Sequence, residues 1–394
     1  MKTKINTPAK AAILLLFLFL SAILLIGCGE KDSALKITPD PVVLGPGETV
    51  TLTTDVKETV EFTSSDEKTV TVSADGIVTG IAPGTAKITA KAGKKSGSVD
   101  VTVKPYFNVD ESEKNAEIYG AEGLKALNNS VNNDRTDYTG YTFTLKSDAD
   151  FNGEAWIPLS GYKLQDSVWE GNGHTISGLK ITQANTSEKN TGNAELNTIG
   201  FISGTRRITM KNIAFENIEV STQSGKYCGI VIGYLDGIGV FENITVKNSS
   251  IETASSSGTG AILGFINDTV HLPGETQVSS LEMTGCTIEN VTVKSGKSAG
   301  LVGRLCNGIV NPTSISGDPT SKDWYALFYE CTVTKCSFYV STAFGEYGNP
   351  AHWAANGMEG SIGSEADSDN TLSGNKFFFN NVEYIYDAGT YTPA

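Results

Sequence analysis

The segment from residue 346 to residue 359 has the side chains in this sequence best suited to binding a ligand. It brings Tyr347, His352, Trp353 and Glu359 together in the least repetitive part of the chain. Aromatic rings with polar neighbours can stack on sugar rings and form hydrogen bonds with hydroxyl groups. We therefore take these four residues as candidate ligand-binding residues. The alternative is a surface or capping loop that packs against the last repeat.

The other residue types that could take part in catalysis are scattered. His174 lies in Gly-Asn-Gly-His-Thr-Ile and is expected to be a turn residue with local hydrogen bonds, and His271 has no evident partner. Arg206 and Arg207 have no cluster of carboxylates at the corresponding positions of neighbouring repeats. Glycoside hydrolases need two carboxylates facing one cleft, and the sequence has no recurring Asp pair, nucleophile motif or phosphate loop. No catalytic residue is predicted.

The cysteines do not form a metal-binding pattern. No Cys-x-x-Cys occurs and the three histidines are far apart, so no metal or other cofactor is predicted. Apart from the cysteine at position 28, the cysteines are odd in number, so they cannot all pair within the chain. They are expected to be small apolar side chains of the core, and any disulfide pairing is left open. These cysteines are Cys228, Cys286, Cys306, Cys331 and Cys336.

The N-terminus has the pattern of an export signal. Lysines at positions 2, 4 and 10 precede an almost unbroken apolar run from residue 11 to residue 26. The run ends at Leu25-Ile-Gly-Cys28, which resembles the bacterial lipobox. This resemblance implies that residues 1–27 are a cleaved signal peptide and that the Cys28 sulfur receives diacylglycerol. The alternatives are an ordinary signal peptide or a transmembrane helix, but the run is short for a span of about 20 residues.

Residues 28–34 then form a polar tether. The sequence Gly29-Glu-Lys-Asp-Ser33 resembles the tether that directs lipoproteins of the Bacteroidetes to the outer face of the outer membrane. The resemblance implies an outer-membrane lipoprotein at the cell surface, with a periplasm-facing location as the alternative. Three short Asp-Ser or Asp-Thr motifs also resemble the O-glycosylation motif of exported Bacteroidetes proteins. Their hydroxyl residues are Ser33, Ser167 and Thr269.

The charge balance restricts the choice of partner. The chain has 30 basic and 44 acidic residues, a net charge of −14 that removal of the leader lysines makes more negative still. Nucleic acids and anionic membrane surfaces need clustered Lys or Arg, so neither is expected as a partner, and lipid is the expected membrane attachment. Abundant Gly, Thr, Ser, Asn, Val and Ile favour strands and turns. We predict an all-β protein.

Residues 35–104 alternate apolar and polar side chains in short segments separated by turns such as Asp75-Gly76 and Pro83-Gly84. This pattern predicts a small antiparallel sandwich. The segment from Phe62 to Ala90, with Ser-Ala-Asp-Gly-Ile-Val-Thr-Gly-Ile-Ala-Pro-Gly-Thr-Ala at its centre, resembles the bacterial Ig-like group 2 domain. That family usually has Trp at the position of Phe62. The resemblance implies a spacer or, less often, an adhesive module.

Residues 105–139 are predicted to be a linker and a capping helix. Ala121, Leu124, Leu127 and Val131 would share one face of a helix within residues 118–133. A single short amphipathic helix ahead of a strand-rich region suggests a cover over exposed backbone edges.

Residues 140–394 repeat imperfectly. Four eight-residue segments begin with Ile213, Ile244, Cys286 and Cys331, and their first, third and eighth positions are apolar. A glycine-rich motif such as Gly229-Ile-Val-Ile-Gly-Tyr-Leu recurs between them. Such repeats predict a stack of coils in which equivalent apolar side chains form one internal column. The final strands or cap would include Phe377-Phe-Phe and Tyr384-Ile-Tyr.

These repeats resemble the GLUG-type repeats of bacterial surface proteins, and the segment from Trp169 to Ile181 resembles the opening coil of that family. The resemblance implies a right-handed parallel β-helix. We therefore expect a surface protein that binds a glycan or a protein of a host or neighbouring cell without catalysis. A polysaccharide lyase or glycoside hydrolase is the first alternative, and a purely structural envelope component is the second.

Overall fold

The computed structural model describes residues 34–184, 198–223, 226–253, 258–267, 280–295, 302–304, 325–340, 371–379, 382–387 and 390–394. Within these ranges the chain is mostly strand, with one α-helix, Gly120–Asn132, and one short 3₁₀ helix, Gly161–Lys163. The all-β prediction is confirmed.

The N-terminal part is a sandwich of short strands around its own apolar core. Val78, Ile88 and Val101 are fully buried there, and the partly buried Phe62 packs against this core. A small additional pair, Ile37–Thr38 with Thr53–Thr54, is antiparallel. One sheet has the order Val42–Leu44, Lys95–Val103, Gly84–Ala92, Glu61–Ser64, and the other the order Thr49–Thr51, Ile77–Gly80, Val70–Val72.

The rest of the chain is a stack of rungs, where a rung is one circuit of chain that adds a strand to each of several mainly parallel sheets. We name the sheets A to D. Sheet A contains Phe107–Asp110, Asn115–Tyr119, Thr142–Ser147, Ser167–Glu170, Ile202–Lys211, Ile232–Glu242, Leu263–Asn267, Ser280–Thr284, Val302–Arg304 and Tyr325–Tyr329. Sheet B contains Ala149–Asp150, Thr175–Ser177, Ala214–Glu216, Thr245–Lys247, Thr287–Glu289, Thr332–Thr334 and Thr371–Ser373. Sheet C contains Lys180–Ile181, Glu219–Thr222, Ser250–Thr253, Thr292–Ser295, Ser337–Val340, Lys376–Phe379, Val382–Asp387 and Thr390–Pro393. Sheet D contains Thr198–Ile199, Tyr227–Gly229 and Gly258–Gly260.

The predicted apolar column is present. Ile213, Ile244, Cys286 and Cys331 are each at most 1% exposed and belong to one continuous core. They occupy equivalent places, because the residues that follow them pair in register along sheet B. Full burial of an aliphatic or aromatic side chain stabilises a fold by about 1.5–3 kcal/mol. Repeating this in every rung explains why such short strands suffice.

Glycines allow sheets A and D to approach closely. A Cβ atom on Gly233 would lie 2.6 Å from the backbone nitrogen of Ile199, and one on Gly264 would lie 2.6 Å from that of Cys228. Both distances are far below normal van der Waals contact. The recurring glycines of the short motif are therefore required for space where two backbones meet.

Left-handed residues form the corners between sheets. Asn212 and Asn243 turn the chain from sheet A to sheet B with φ of 55° and 53°. Asn217 and Asn248 turn it from sheet B to sheet C with φ of 54° and 48°. Asparagine tolerates this conformation better than other non-glycine residues. This explains the asparagine at the fifth position of the eight-residue repeat.

The ends of the stack differ from its middle. The helix prediction is correct: Leu124, Leu127 and Val131 are fully buried, and Asn132 accepts a hydrogen bond from the backbone nitrogen of Ser160 (2.9 Å). The segment interpreted as a linker also contains two strands of sheet A, and Asn115–Tyr119 pairs in parallel with Thr142–Ser147. Parallel pairing therefore begins before residue 140. At the other end, the last two strands of sheet C pair antiparallel.

Candidate functional site

The predicted ligand-binding residues Tyr347, His352, Trp353 and Glu359 lie outside the described residues. The chain before them ends in the sheet C strand Ser337–Val340, and the chain after them resumes in sheet B. Cys28, Cys306, Ser33, Thr269 and His271 also lie outside the described residues.

His174 is a turn residue, but its side chain bonds to the preceding rung rather than locally. Its Nδ1 lies 3.0 Å from Oδ1 of Asp148, which also accepts a hydrogen bond from the backbone nitrogen of Thr175 (2.9 Å). The hydrogen bond from the Thr175 N–H lowers the pKa of Asp148. Partial burial opposes this shift, and the interaction with His174 adds to it. The histidine therefore ties two rungs together.

The structure shows one polar cluster that sequence reasoning missed, at a bend in sheet A. The pairing register shifts between Arg206 and Ile208. Arg207 has φ of 37° and Gly237, on the next rung, has φ of 96°. Irregular pairing of this kind redirects side chains, and it is frequent beside binding sites.

Asp236 is the one charged residue that is buried among those the structure describes. It pairs in register with Arg206, whose Nε lies 3.9 Å from Oδ2 of the carboxylate. The Arg206 guanidinium also lies over the ring of Tyr162, 5.8 Å from its centroid. Burying a carboxylate without a counter-ion would be costly, so Arg206 makes this arrangement possible.

Arg207 forms a second ion pair with the neighbouring rung on the other side. Its Nε and Nη2 both donate to the carboxylate of Asp166, with Nη2 2.9 Å from Oδ2. The sequence showed no cluster of carboxylates at positions corresponding to Arg206 and Arg207, and the structure pairs each arginine with a single aspartate of a neighbouring rung. The glycine-rich corner before Arg206 is one residue shorter than the next one, which hid the alignment of Ile202–Arg206 with Ile232–Asp236.

The chemistry of this bend favours structure and neutral polar contacts over catalysis. Each of the two arginines is paired with one aspartate, so the four charges cancel. The bend therefore has no net positive charge that would bind an anion. A glycoside hydrolase requires two carboxyl groups in one cleft with different protonation states. Here each carboxylate is matched with its own guanidinium.

The outward faces of sheets B and C carry ladders of polar side chains. On sheet B, Glu289 lies 2.9 Å from Lys335 and 3.9 Å from Lys247. Lys335 makes the largest contribution to lowering the pKa of Glu289, and Lys247 adds to it, against slight desolvation. On sheet C, Glu252 lies 3.7 Å from Lys294. On each face, oppositely charged residues thus lie at equivalent positions of neighbouring rungs.

One aromatic pair continues the ladder of sheet C. The rings of Tyr339 and Phe378 are parallel, with centroids 4.4 Å apart, and Lys294 lies 5.7 Å from the Tyr339 centroid. Because the two rings stack on each other along the row, the ring faces that touch are not available to a sugar. We therefore assign this pair to the stability of the stack.

The described cysteines are core residues, as predicted. Cys228, Cys286, Cys331 and Cys336 carry thiols with no exposed surface. Ser167 is also buried, and its hydroxyl donates to the carbonyl of Leu164 (2.6 Å). The structure therefore argues against glycosylation of Ser167 in the folded protein. Among the described residues, no group of His, Cys, Asp and Glu is arranged to hold a metal ion.

The sandwich and its sequence motif lead to a family. Residues 34–103 match the family model of the bacterial Ig-like domain (group 2). This part of the chain is a bacterial Ig-like domain. The Ig-like domain spans less than half of the chain, and no curated protein matches the sequence. No helix within the described ranges has both the length and the apolar character of a membrane span.

Proposed function

We propose that this protein is a lipoprotein of the bacterial cell surface that binds ligands without transforming them. Acylated Cys28 would hold it in the outer membrane, and the Ig-like domain would act as a spacer. The stack would be a right-handed parallel β-helix of the GLUG type whose faces contact a glycan or a protein of another cell.

The observation that carries this proposal is the in-register placement of oppositely charged and polar side chains on the outward faces of sheets B and C. Glu252 and Lys294 are equivalent positions of neighbouring rungs, as are Lys247 and Glu289. Neighbouring strands are separated by about 4.8 Å, so such rows present regularly spaced hydrogen-bonding groups to an extended partner. A repetitive polymer or an elongated protein surface suits such a face.

The enzyme alternative has weaker support. The strongest candidate for catalysis is the bend around Asp236, where Arg206 and Arg207 are both committed to ion pairs. Asp236 is buried, and removing Arg206 would leave its charge without a counter-ion, so this cluster has a sufficient structural explanation.

A binding experiment with a catalytic readout separates the candidate functions. The full chain in detergent micelles is applied to a glycan array and to immobilised extracellular-matrix proteins, and reducing ends released from the same glycans are measured in parallel. Retention on a glycan or protein without released ends is expected. Released reducing ends or unsaturated products would establish an enzyme, and no retention would favour a purely structural envelope component.

Two substitutions locate the contact surface. Lys294→Ala on sheet C is expected to weaken retention. Lys95→Ala on the Ig-like domain is its matched control, because both lysine side chains are partly exposed and paired with an exposed glutamate. Trp353→Ala tests the predicted loop, and unchanged binding would remove Trp353 from the site.

Cys28→Ala is expected to abolish labelling with a radioactive fatty acid.

A further inference from the structure

The Ig-like domain and the stack are joined by a very short connection. The last strand of the Ig-like domain ends at Val103, and the first strand of sheet A begins at Phe107. Pro105 lies between them, and the backbone nitrogen of Lys104 still bonds to the carbonyl of Leu44 (2.8 Å). The connection is therefore tied to the Ig-like domain almost up to the first strand of the stack.

An aromatic side chain of the stack fills a notch in the Ig-like domain. Tyr119 is only 2% exposed, and its ring lies against the backbone of Gly45. A Cβ atom at position 45 would overlap the ring, so only glycine leaves room for it. The ring and the glycine belong to different domains and fit each other closely.

Charged groups from both domains surround the hydroxyl of Tyr119. The hydroxyl lies 3.2 Å from Glu117 and 3.5 Å from Glu48, and Glu48 also accepts a hydrogen bond from the backbone nitrogen of Gly45 (2.7 Å). Lys146 of the stack lies 3.9 Å from Glu48 and 3.8 Å from Glu117. Lys146 thus links one carboxylate from each domain.

Lys104 closes this network. Its Nζ donates to Oε2 of Glu117 (2.7 Å), which also accepts from Asn108 (3.1 Å). Partial burial raises the pKa of Glu117. The hydrogen bonds from Lys104 and Asn108 and the positive charges of Lys104 and Lys146 outweigh burial, so the pKa of Glu117 is lowered. Burial, followed by Glu117 and Glu48, raises the pKa of Tyr119. The phenol therefore stays protonated and can donate.

We propose that Tyr119, seated on Gly45 and held by Glu48 and Glu117, locks the Ig-like domain and the stack into one rigid body. Domains in one chain move relative to each other by default when their interface is modest and polar. A buried aromatic ring packed against a glycine opposes such motion, because rotation of one domain relative to the other would require the Tyr119 ring to lose its contact with Gly45. The angle between spacer and stack is then fixed by the fold, whatever the stack binds.

Distances between spin labels test this rigidity. Ketone-bearing amino acids replace exposed Asp75 of the Ig-like domain and exposed Glu252 of the stack, so that labelling does not involve cysteine. Pulsed dipolar spectroscopy of the full chain in detergent micelles then gives the distribution of distances between the labels. One narrow distribution is expected for the parent protein, and Tyr119→Ala is expected to widen it by about twofold or more.

Two further variants control for folding and for charge. Glu48→Ala keeps the tyrosine ring and is expected to give an intermediate width, so it carries the test if Tyr119→Ala does not fold. Lys87→Ala removes the exposed Lys87–Asp100 pair (2.6 Å) away from the joint and is expected to leave the width unchanged. A distribution in the parent as wide as in the folded Tyr119→Ala variant would overturn the proposal, as would unchanged widths in both joint variants.

Discussion

Asn290 donates a hydrogen bond from its side-chain amide to the side-chain oxygen of Asn248 on the neighbouring rung, over 2.7 Å. Both residues have a left-handed backbone, with φ of 53° and 48°, and both form the corner between sheets B and C. One residue type thus satisfies the backbone conformation of its own corner and links that corner to the next. Asn243 and Asn212 repeat this relationship at the corner between sheets A and B (2.9 Å).

We expect Asn248→Ala to lower the free energy of unfolding by about 1–2 kcal/mol, because alanine disfavours the left-handed conformation and leaves the Asn290 amide without its acceptor. Urea unfolding followed by circular dichroism measures this. Asn248→Gly retains the backbone freedom and should cost less. Equal losses in the two variants would show that the conformation of this corner is unimportant.

Lys335 occupies the equivalent corner of a later rung with φ of 54°. Lysine gains nothing from this conformation, so Lys335→Asn is expected to stabilise the protein by about 0.5 kcal/mol despite losing the exposed ion pair with Glu289. The same unfolding measurement applies. Destabilisation would mean that the ion pair contributes more than the corner.

Gly264→Ala is expected to destabilise the stack by about 1–3 kcal/mol, because the added methyl group would push into the backbone of Cys228. Gly204→Ala is the matched control in the same sheet, since its Cβ would lie 3.3 Å from the nearest atom, in the Tyr234 side chain. Thermal unfolding of both variants gives the comparison. Similar losses at the two sites would contradict the role of Gly264 in close backbone packing.

Ser249 is a polar residue in an otherwise apolar position of the repeat. Its hydroxyl donates to the carbonyl of Lys247 (2.6 Å) and accepts from the backbone nitrogen of Ile218 (3.0 Å). Ser249→Ala is expected to cost about 1–2 kcal/mol in urea unfolding, because the Ile218 N–H loses its partner. Ser250→Ala, on the outward face, should be close to neutral. A neutral Ser249→Ala would show that water replaces the hydroxyl.

The buried thiols should be unreactive and should make stability depend on alkaline pH. Burial raises the pKa of Cys228 to about 12 and of Cys336 to about 11, while the Cys331 thiol and burial raise that of Cys286. Iodoacetamide at pH 8 should modify these sites only in denaturant, as measured by mass spectrometry of peptides.

The same shifts fix the direction of the pH effect. An unfolded thiol ionises near pH 9, so the unfolded state loses protons first and the stability falls as pH rises from there through the folded pKa values. Urea midpoints at pH 8 and pH 10.5 measure this fall. Rapid alkylation in native buffer would contradict the burial of these thiols.

Periodicity predicted the apolar column because burial imposes the same constraint on every rung, and Ile213 and Cys286 fill one place despite their different chemistry. It also predicted the helix from Leu124, Leu127 and Val131. The hydrophobic pattern alone did not reveal the function of asparagine at the corners, because a residue with a left-handed backbone conformation need not be apolar and so does not affect that pattern.

Other features depend on pairing that a single sequence does not display. Arg206 and Asp236 are 30 positions apart, and a one-residue difference in corner length concealed their register. Strands such as Ile37–Thr38 and Val42–Leu44 are too short for alternation to be visible. Asn115–Tyr119 was obscured because the adjoining helix dominated the pattern of its segment.

The antiparallel hairpin of Val382–Asp387 and Thr390–Pro393 changes what the free end of sheet C offers to other molecules. A parallel edge of unpaired amides and carbonyls is a template on which another copy can continue the same ladder, the first step toward fibres. The reversed strands present a mismatched direction to such an addition, and Pro393 lacks an amide hydrogen to contribute. This edge is therefore poorly suited to continue the ladder of another copy, even at high protein concentration.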